Sequence, residues 1–242
     1  FRRDELVAAC EKSLRNLRTD RIDLYQLHWP ARDVPLEEPL AALAELRSTG
    51  KIRAGGVSNF GPADLLSCAA AGFHPVSNQV AYSLLFRAVE FEILPLCRKE
   101  GISVLCYSAL MQGLLAGRFR SADDVQPDRA RTRHFRSDRP HARHREPGCE
   151  AETFAAVERV REIAGGLGRP MADVALAWLV AQPGIGSVIA GARNADQARG
   201  IARAGDLALS DDVLRDLTAA TDDLKQELGP NADMWQTDSR IA

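Results

Sequence analysis

The 242 residues are 45% apolar and 26% charged, enough to bury the core of one large α/β domain and too apolar for a chain disordered throughout. Thirty-one Lys and Arg stand against 33 Asp and Glu, a balance that gives no footprint for nucleic acid or an anionic membrane and better suits a small neutral molecule or a bound nucleotide. The five cysteines include no Cys-x-x-Cys pair, so neither a disulfide framework nor a metal site is suggested, a reducing cytoplasm is the expected setting, and no apolar run reaches the ~20 residues of a membrane span.

The first pattern is helical, with Leu6, Val7, Cys10, Leu14 and Leu17 on one face almost from Phe1, as though the chain starts inside a larger domain. Residues 22–27 then read as a strand, and Leu36, Leu40, Leu43 and Leu46 mark one face of the next helix. Residues 52–57 form a second strand, after which Gly61 and Pro62 give the cap-then-proline order that opens a helix. A weaker strand at 77–80, a helix over 89–99 stopped by Gly101, and a strand at 102–107 continue the alternation. Residues 118–150 interrupt it. Their nine arginines, three histidines and few aliphatic residues predict a mobile, solvated surface loop flanking the substrate mouth, with no metal site. A helix with Phe154, Val157, Val160 and Ile163 on one face follows, then a segment at 171–181 that is apolar nearly all round and must be buried. Residues 185–189 are the fifth strand. Asn194 with Gln197 make a capping box for the next helix, and Ser210, with Leu209 and Leu214 as a staple, opens the last.

Strands alternating with helices predict parallel β/α units, and a repeat of about 25 to 30 residues fits a (β/α)8 TIM barrel of ~250 residues. Five parallel strands cannot close such a barrel. The expectation is therefore one α/β domain over residues 1–242, a truncated barrel of about five units plus C-terminal helices, with three more units, roughly 90 residues, upstream.

In this architecture the C-terminal strand ends share one rim, where ligands bind. Those ends carry His28, then Ser58 and Asn59, then Gln79, then Tyr107 and Ser108, and finally Gly191 and Arg193. The runs DLYQLHWP at 23–30, GGVSNF at 55–60, NQVAY at 78–82, YSAL at 107–110 and GAR at 191–193 with Gln197 follow the order of the aldo-keto reductase family and resemble its motifs over essentially the whole chain. The resemblance implies an oxidoreductase that reduces aldehyde or ketone carbonyls with NADP(H) as cofactor, acting on a small carbonyl or alcohol substrate. It gives His28 the catalytic role of orienting or polarising the carbonyl, with Trp29 beside it on the substrate side. Ser58, Asn59 and Gln79 would hydrogen-bond the nicotinamide carboxamide, and Tyr107 would stack on the ring. Ser108, Leu110 and Gly113 would line the pyrophosphate path, while Gly191, Arg193 and Gln197 form the C-terminal cofactor segment, the last two approaching the adenosine 2′-phosphate.

Two departures stand out. The family's catalytic tyrosine, lysine and aspartate belong to strands before the first one here, and Gly200 and Ile201 occupy positions where the family often has Glu and Asn against adenine. Each residue also has a purely structural alternative: a core histidine for His28, helix caps for Ser58 and Asn59, filling of the barrel mouth for Tyr107, a solvated side chain for Arg193, and half of a capping box for Gln197. Two rival functions remain beside reduction. One is a nucleotide-binding regulatory or catalytically inactive relative, in the manner of potassium-channel beta subunits. The other is a barrel isomerase or aldolase gripping phosphate at the last strands, for which GAR is a short match.

Overall fold

A computed structural model describes residues 2–242. The elements run α1 (Arg3–Leu17), β1 (Ile22–Leu27), α2 (Glu37–Ser48), β2 (Ile52–Ser58), α3 (Pro62–Ala70), β3 (Ser77–Ala81), α4 (Ile93–Lys99), β4 (Ser103–Tyr107), α5 (Glu150–Gly166), α6 (Met171–Val180), β5 (Ile185–Val188), α7 (Ala195–Gly205), α8 (Asp211–Ala219) and α9 (Asp222–Leu228). All five strands are parallel and lie in sequence order, β1-β2-β3-β4-β5. Each unit therefore sits beside its predecessor, as in one arc of a barrel, and every strand delivers its C-terminal end to the same side.

The helices form where their apolar spacing demands. Leu6, Cys10 and Leu14 are the buried stripe of α1, and Leu40, Leu43 and Leu46 that of α2. Gly61 and Pro62 open α3 as expected. In α6 seven of ten residues are buried, with Trp178 at the centre donating Nε1–H to Thr218 Oγ1 at 3.0 Å and meeting Tyr82 edge-on at 5.6 Å. No single helix among the described residues is long and apolar enough to cross a membrane. All five cysteines are buried and unpaired, and burial pushes the Cys68 and Cys106 thiols up to about 12.

Three expectations need correction. The helix over 89–99 is broken into a 3-10 turn at Ala88–Glu90 and α4, because Pro95 has no N–H for the Phe91 carbonyl and its ring excludes that carbonyl from the helical path. The helix opened by Ser210 is not the last. α9 follows it, burying Leu224 and Leu228 and held by charge as well: buried Arg87 donates to Glu90, to the Thr218 carbonyl and to Asp222, and Lys225 donates to Glu90 at 2.8 Å.

The third correction concerns residues 118–150, which are packed rather than solvated. Ala130, Thr132, Arg133, His134, Phe135 and His144 are all buried. Arg133 joins Glu146 at 2.8 Å and donates to the carbonyls of Leu228 and Asn231, so the loop is tied to the C-terminal segment. Composition misled here because a buried arginine with its partners reads, in sequence, like a solvated one.

His134 is fully buried. One ring nitrogen, Nε2, lies 2.8 Å from the Leu85 carbonyl, which accepts only, so the proton sits there and Nδ1 accepts from the Thr132 hydroxyl at 3.2 Å. Burial holds its pKa down at about 4, against 6.5 for the free side chain. Above pH 6.5 the imidazole is neutral in both states; below it the unfolded chain takes up a proton that the folded chain refuses until about pH 4. Stability is expected to fall through that window by ~3 kcal/mol from this group. In His134→Gln, which can keep a donor on Leu85, urea midpoints plotted against pH should lose about one proton of that slope. An unchanged slope would assign the acid sensitivity elsewhere.

Candidate active site

The register sets the rim. Ser58 stands opposite Gln79 and Ala81 opposite Tyr107, so the polar residues that end β2, β3 and β4 are neighbours. Asn59 turns out of β2 in the left-handed region, φ 61°, a conformation that asparagine tolerates better than other residues with a Cβ. Its Nδ2 donates to the His28 carbonyl and to Ser58 Oγ, both at 3.1 Å, and its Oδ1 accepts from the Tyr107 hydroxyl at 2.9 Å. Ser58 Oγ in turn donates to the Gln79 carbonyl at 2.8 Å. One network thus joins the ends of β1, β2, β3 and β4.

Within it Ser58 and Asn59 are buried and their polar atoms face one another, whereas the half-buried Gln79 amide has no hydrogen bond among the described residues. Neither Ser58 nor Asn59 caps α3, whose N-cap is Gly61. His28 is exposed and its ring makes no hydrogen bond among the described residues, so it is not a core histidine. Trp29 is half-buried beneath the Arg240 guanidinium, 4.0 Å above its ring. Burial first, and then the negative charge of Asp233, pushes the Tyr107 phenol up to about 12, with Arg240 opposing.

Beyond Tyr107 the rim opens into a groove of about 870 Å³. Ser108, Leu110, Gly113, Gly191, Arg193 and Gln197 all line it. A strained turn runs along it, since Ser108 and Gln112 in its lining and buried Met111 between them have φ of 55°, 54° and 44°. Such left-handed residues cost about 1 kcal/mol or more each and concentrate at ligand sites. At Gly113, φ is 99° and a Cβ would press on Arg129 Nη1 at 3.3 Å. Arg193 is exposed and without an ion pair among the described residues. Asn194 caps α7 by accepting from the Gln197 N–H at 2.9 Å, and Gln197 Oε1 accepts from the Arg193 N–H at 2.8 Å. The capping box is therefore real in part, and it leaves the Gln197 amide nitrogen for the groove.

Sequence reasoning missed what the packed loop and the C-terminal segment bring. Arg118, Arg129 and Arg131 line the groove, and the Arg131 guanidinium lies 5.0 Å from the ring of Trp235, another lining residue. The segment after α9 returns across the rim: Asp233 is buried and accepts from Arg240 Nε at 2.6 Å, while the Ala242 carbonyl accepts from the Asp64 N–H at 3.1 Å. Gly61 permits this docking, because a Cβ there would overlap the Ala242 carbonyl. Only the run of arginines in the loop was a signal; the C-terminal segment carries no motif. Among the described residues no group of three or more His, Cys, Asp or Glu can hold a metal ion.

Comparison with known proteins gives this rim a lineage. The model of the aldo/keto reductase family matches residues 1–222. Aldo-keto reductase YhdN of Bacillus subtilis is 31% identical over 231 residues, 94% of this chain and 67% of that protein. The NADH-specific methylglyoxal reductase of Escherichia coli is 34% identical over 212 residues, 86% of this chain and 60% of that protein. Among solved structures, the holo form of aldo-keto reductase AKR11C1 from Bacillus halodurans matches with a TM-score of 0.72 at 26% identity, covering 90% of this chain and 67% of that one. The chain thus spans about 60 to 67% of the length of these relatives, and its parallel sheet is consistent with their (β/α)8 barrel. On its sequence and on its fold alike, the chain belongs to the aldo/keto reductase family.

Proposed function

We propose that the protein is an oxidoreductase that reduces aldehyde or ketone carbonyls with a nicotinamide dinucleotide, and that the dinucleotide is NADPH. The observation that carries this reading is that Ser108, which lines the groove, follows Tyr107, whose hydroxyl bonds Asn59 and through it the His28 carbonyl, so a groove with room for a phosphorylated ligand adjoins the strand end that carries a histidine. The residues present suit that ligand. An unpaired guanidinium at Arg193 matches a phosphate, the unpartnered Gln79 amide matches a carboxamide, and the Tyr107 ring offers a stacking face. The groove volume lies in the range of nucleotide and cofactor sites.

Held by Gln79, Tyr107 and Arg193, the dinucleotide would supply a hydride to the carbonyl carbon, and the oxygen would take up a proton drawn from solvent. In this reading a ring N–H of His28 holds the carbonyl oxygen and stabilises the negative charge that grows on it. Asn59, through the His28 carbonyl, and Tyr107, through Asn59, fix where that ring stands. Trp29 shields one side of the mouth from water. One similar protein is named as NADH-specific, and the assignment of NADPH to this chain rests on Arg193. Loss of nicotinamide absorbance with a panel of aldehydes, in the full-length gene product, tests the reading. Tight binding of the dinucleotide without turnover of any aldehyde would favour the regulatory alternative instead.

A further inference from the structure

We infer that Arg240 is a specificity-determining residue that makes the substrate side of the mouth accept carbonyl compounds bearing a carboxylate. This rests on the reduction proposed above and names a substrate class for the same site.

The guanidinium lies 4.0 Å above the ring of Trp29, the residue after His28. Asp233 takes Nε at 2.6 Å and Nη2 at 3.1 Å, which occupies one edge of the fork. A guanidinium has five N–H groups. Both hydrogens of Nη1 and the second of Nη2 make no bond among the described residues, and the side chain is 39% exposed. Its terminal edge therefore presents two parallel N–H donors, a match for the two oxygens of a carboxylate and a poor use of one neutral carbonyl.

The fork is also set in place before a ligand arrives. Stacking on Trp29 and the grip of buried Asp233 fix its plane, which lowers the ordering cost of binding. Its backbone is held by Arg32, which donates to the Arg240 carbonyl at 2.9 Å while bound to Asp64 at 2.7 and 2.8 Å. The charges of Asp233 and Arg240 both reach the Tyr107 phenol, which bonds Asn59 and through it the His28 carbonyl, so the pair belongs to the reacting rim. Because Asp233 neutralises the pair at a distance, selection comes from direct two-point contact rather than from long-range steering.

Calorimetric titration of the NADP+-saturated protein with benzoate and with its neutral counterpart benzamide tests the assignment. The parent should bind benzoate about tenfold more tightly, as one exposed charge-assisted pair allows. Arg240→Met should abolish that preference. Arg240→Lys, which keeps the charge and loses the fork, should lose most of it, and it serves alone if the methionine variant does not fold. In turnover by the full-length gene product, the kcat/KM ratio of 4-carboxybenzaldehyde to 4-methylbenzaldehyde should fall about tenfold in Arg240→Met, chiefly through KM. Equal binding of the two probes by the parent, or a preference retained in both variants, overturns the assignment. Failure of NADP+ to bind would instead count against the reduction reading, and the benzoate preference can still be measured without it.

Discussion

Replacing His28 by alanine in the full-length gene product is expected to lower kcat about 100-fold, the usual loss when one donor to a developing oxyanion is removed. The affinity for NADPH should change little, because the imidazole stands at the end of the rim and not in the groove. The side chain is exposed and its ring has no hydrogen bond among the described residues, so its removal breaks no core contact and should leave the melting temperature near that of the parent. A His28→Gln variant restores a donor at similar reach and should recover part of the rate. Equal kcat for parent and alanine variant at saturating cofactor would remove His28 from the chemistry.

Arg193→Ala is expected to weaken NADPH by about 10- to 100-fold and NADH hardly at all, since a charge-assisted bond to a phosphate contributes roughly 1.5 to 3 kcal/mol. The side chain is exposed, so the difference should shrink as salt rises. Its backbone N–H is already bound by Gln197, which keeps the start of α7 in place whatever side chain stands at 193. Fluorescence titration of both proteins with both cofactors reads the outcome. Parallel losses for NADPH and NADH would make Arg193 a structural residue, and no loss for either would leave the 2′-phosphate to the other groove arginines.

The β/α alternation was legible because most strands are short β-rich runs bounded by turn residues, as at Gly61-Pro62 and Gly101, with the polar β3 the weakest of them. The strand-end motifs were legible too, since a parallel sheet must carry them to one rim. What stayed hidden depends on contacts distant in sequence. Arg133 reads as solvated until Glu146 and the Leu228 carbonyl come beside it, and α9, a short helix with only Leu224 and Leu228 buried, depends also on the ion pairs of Arg87 and Lys225. Trp235 and Arg240 follow the last helical pattern, so only the fold shows that they return to the groove and the mouth. The break before α4 was the exception: Pro95 stood in view, and its effect on the Phe91 carbonyl follows from local geometry alone.

Hydrogen exchange measured with and without NADPH tests most directly whether the groove beyond Tyr107 is where the dinucleotide lies. Protection is predicted across residues 108–117 and 189–201, the two stretches that contribute most of the groove's lining, and at Arg129, Arg131 and Trp235. The helices on the far side of the sheet should exchange as before. Saturable NADPH binding that leaves residues 108–117 and 189–201 unprotected would contradict the assignment.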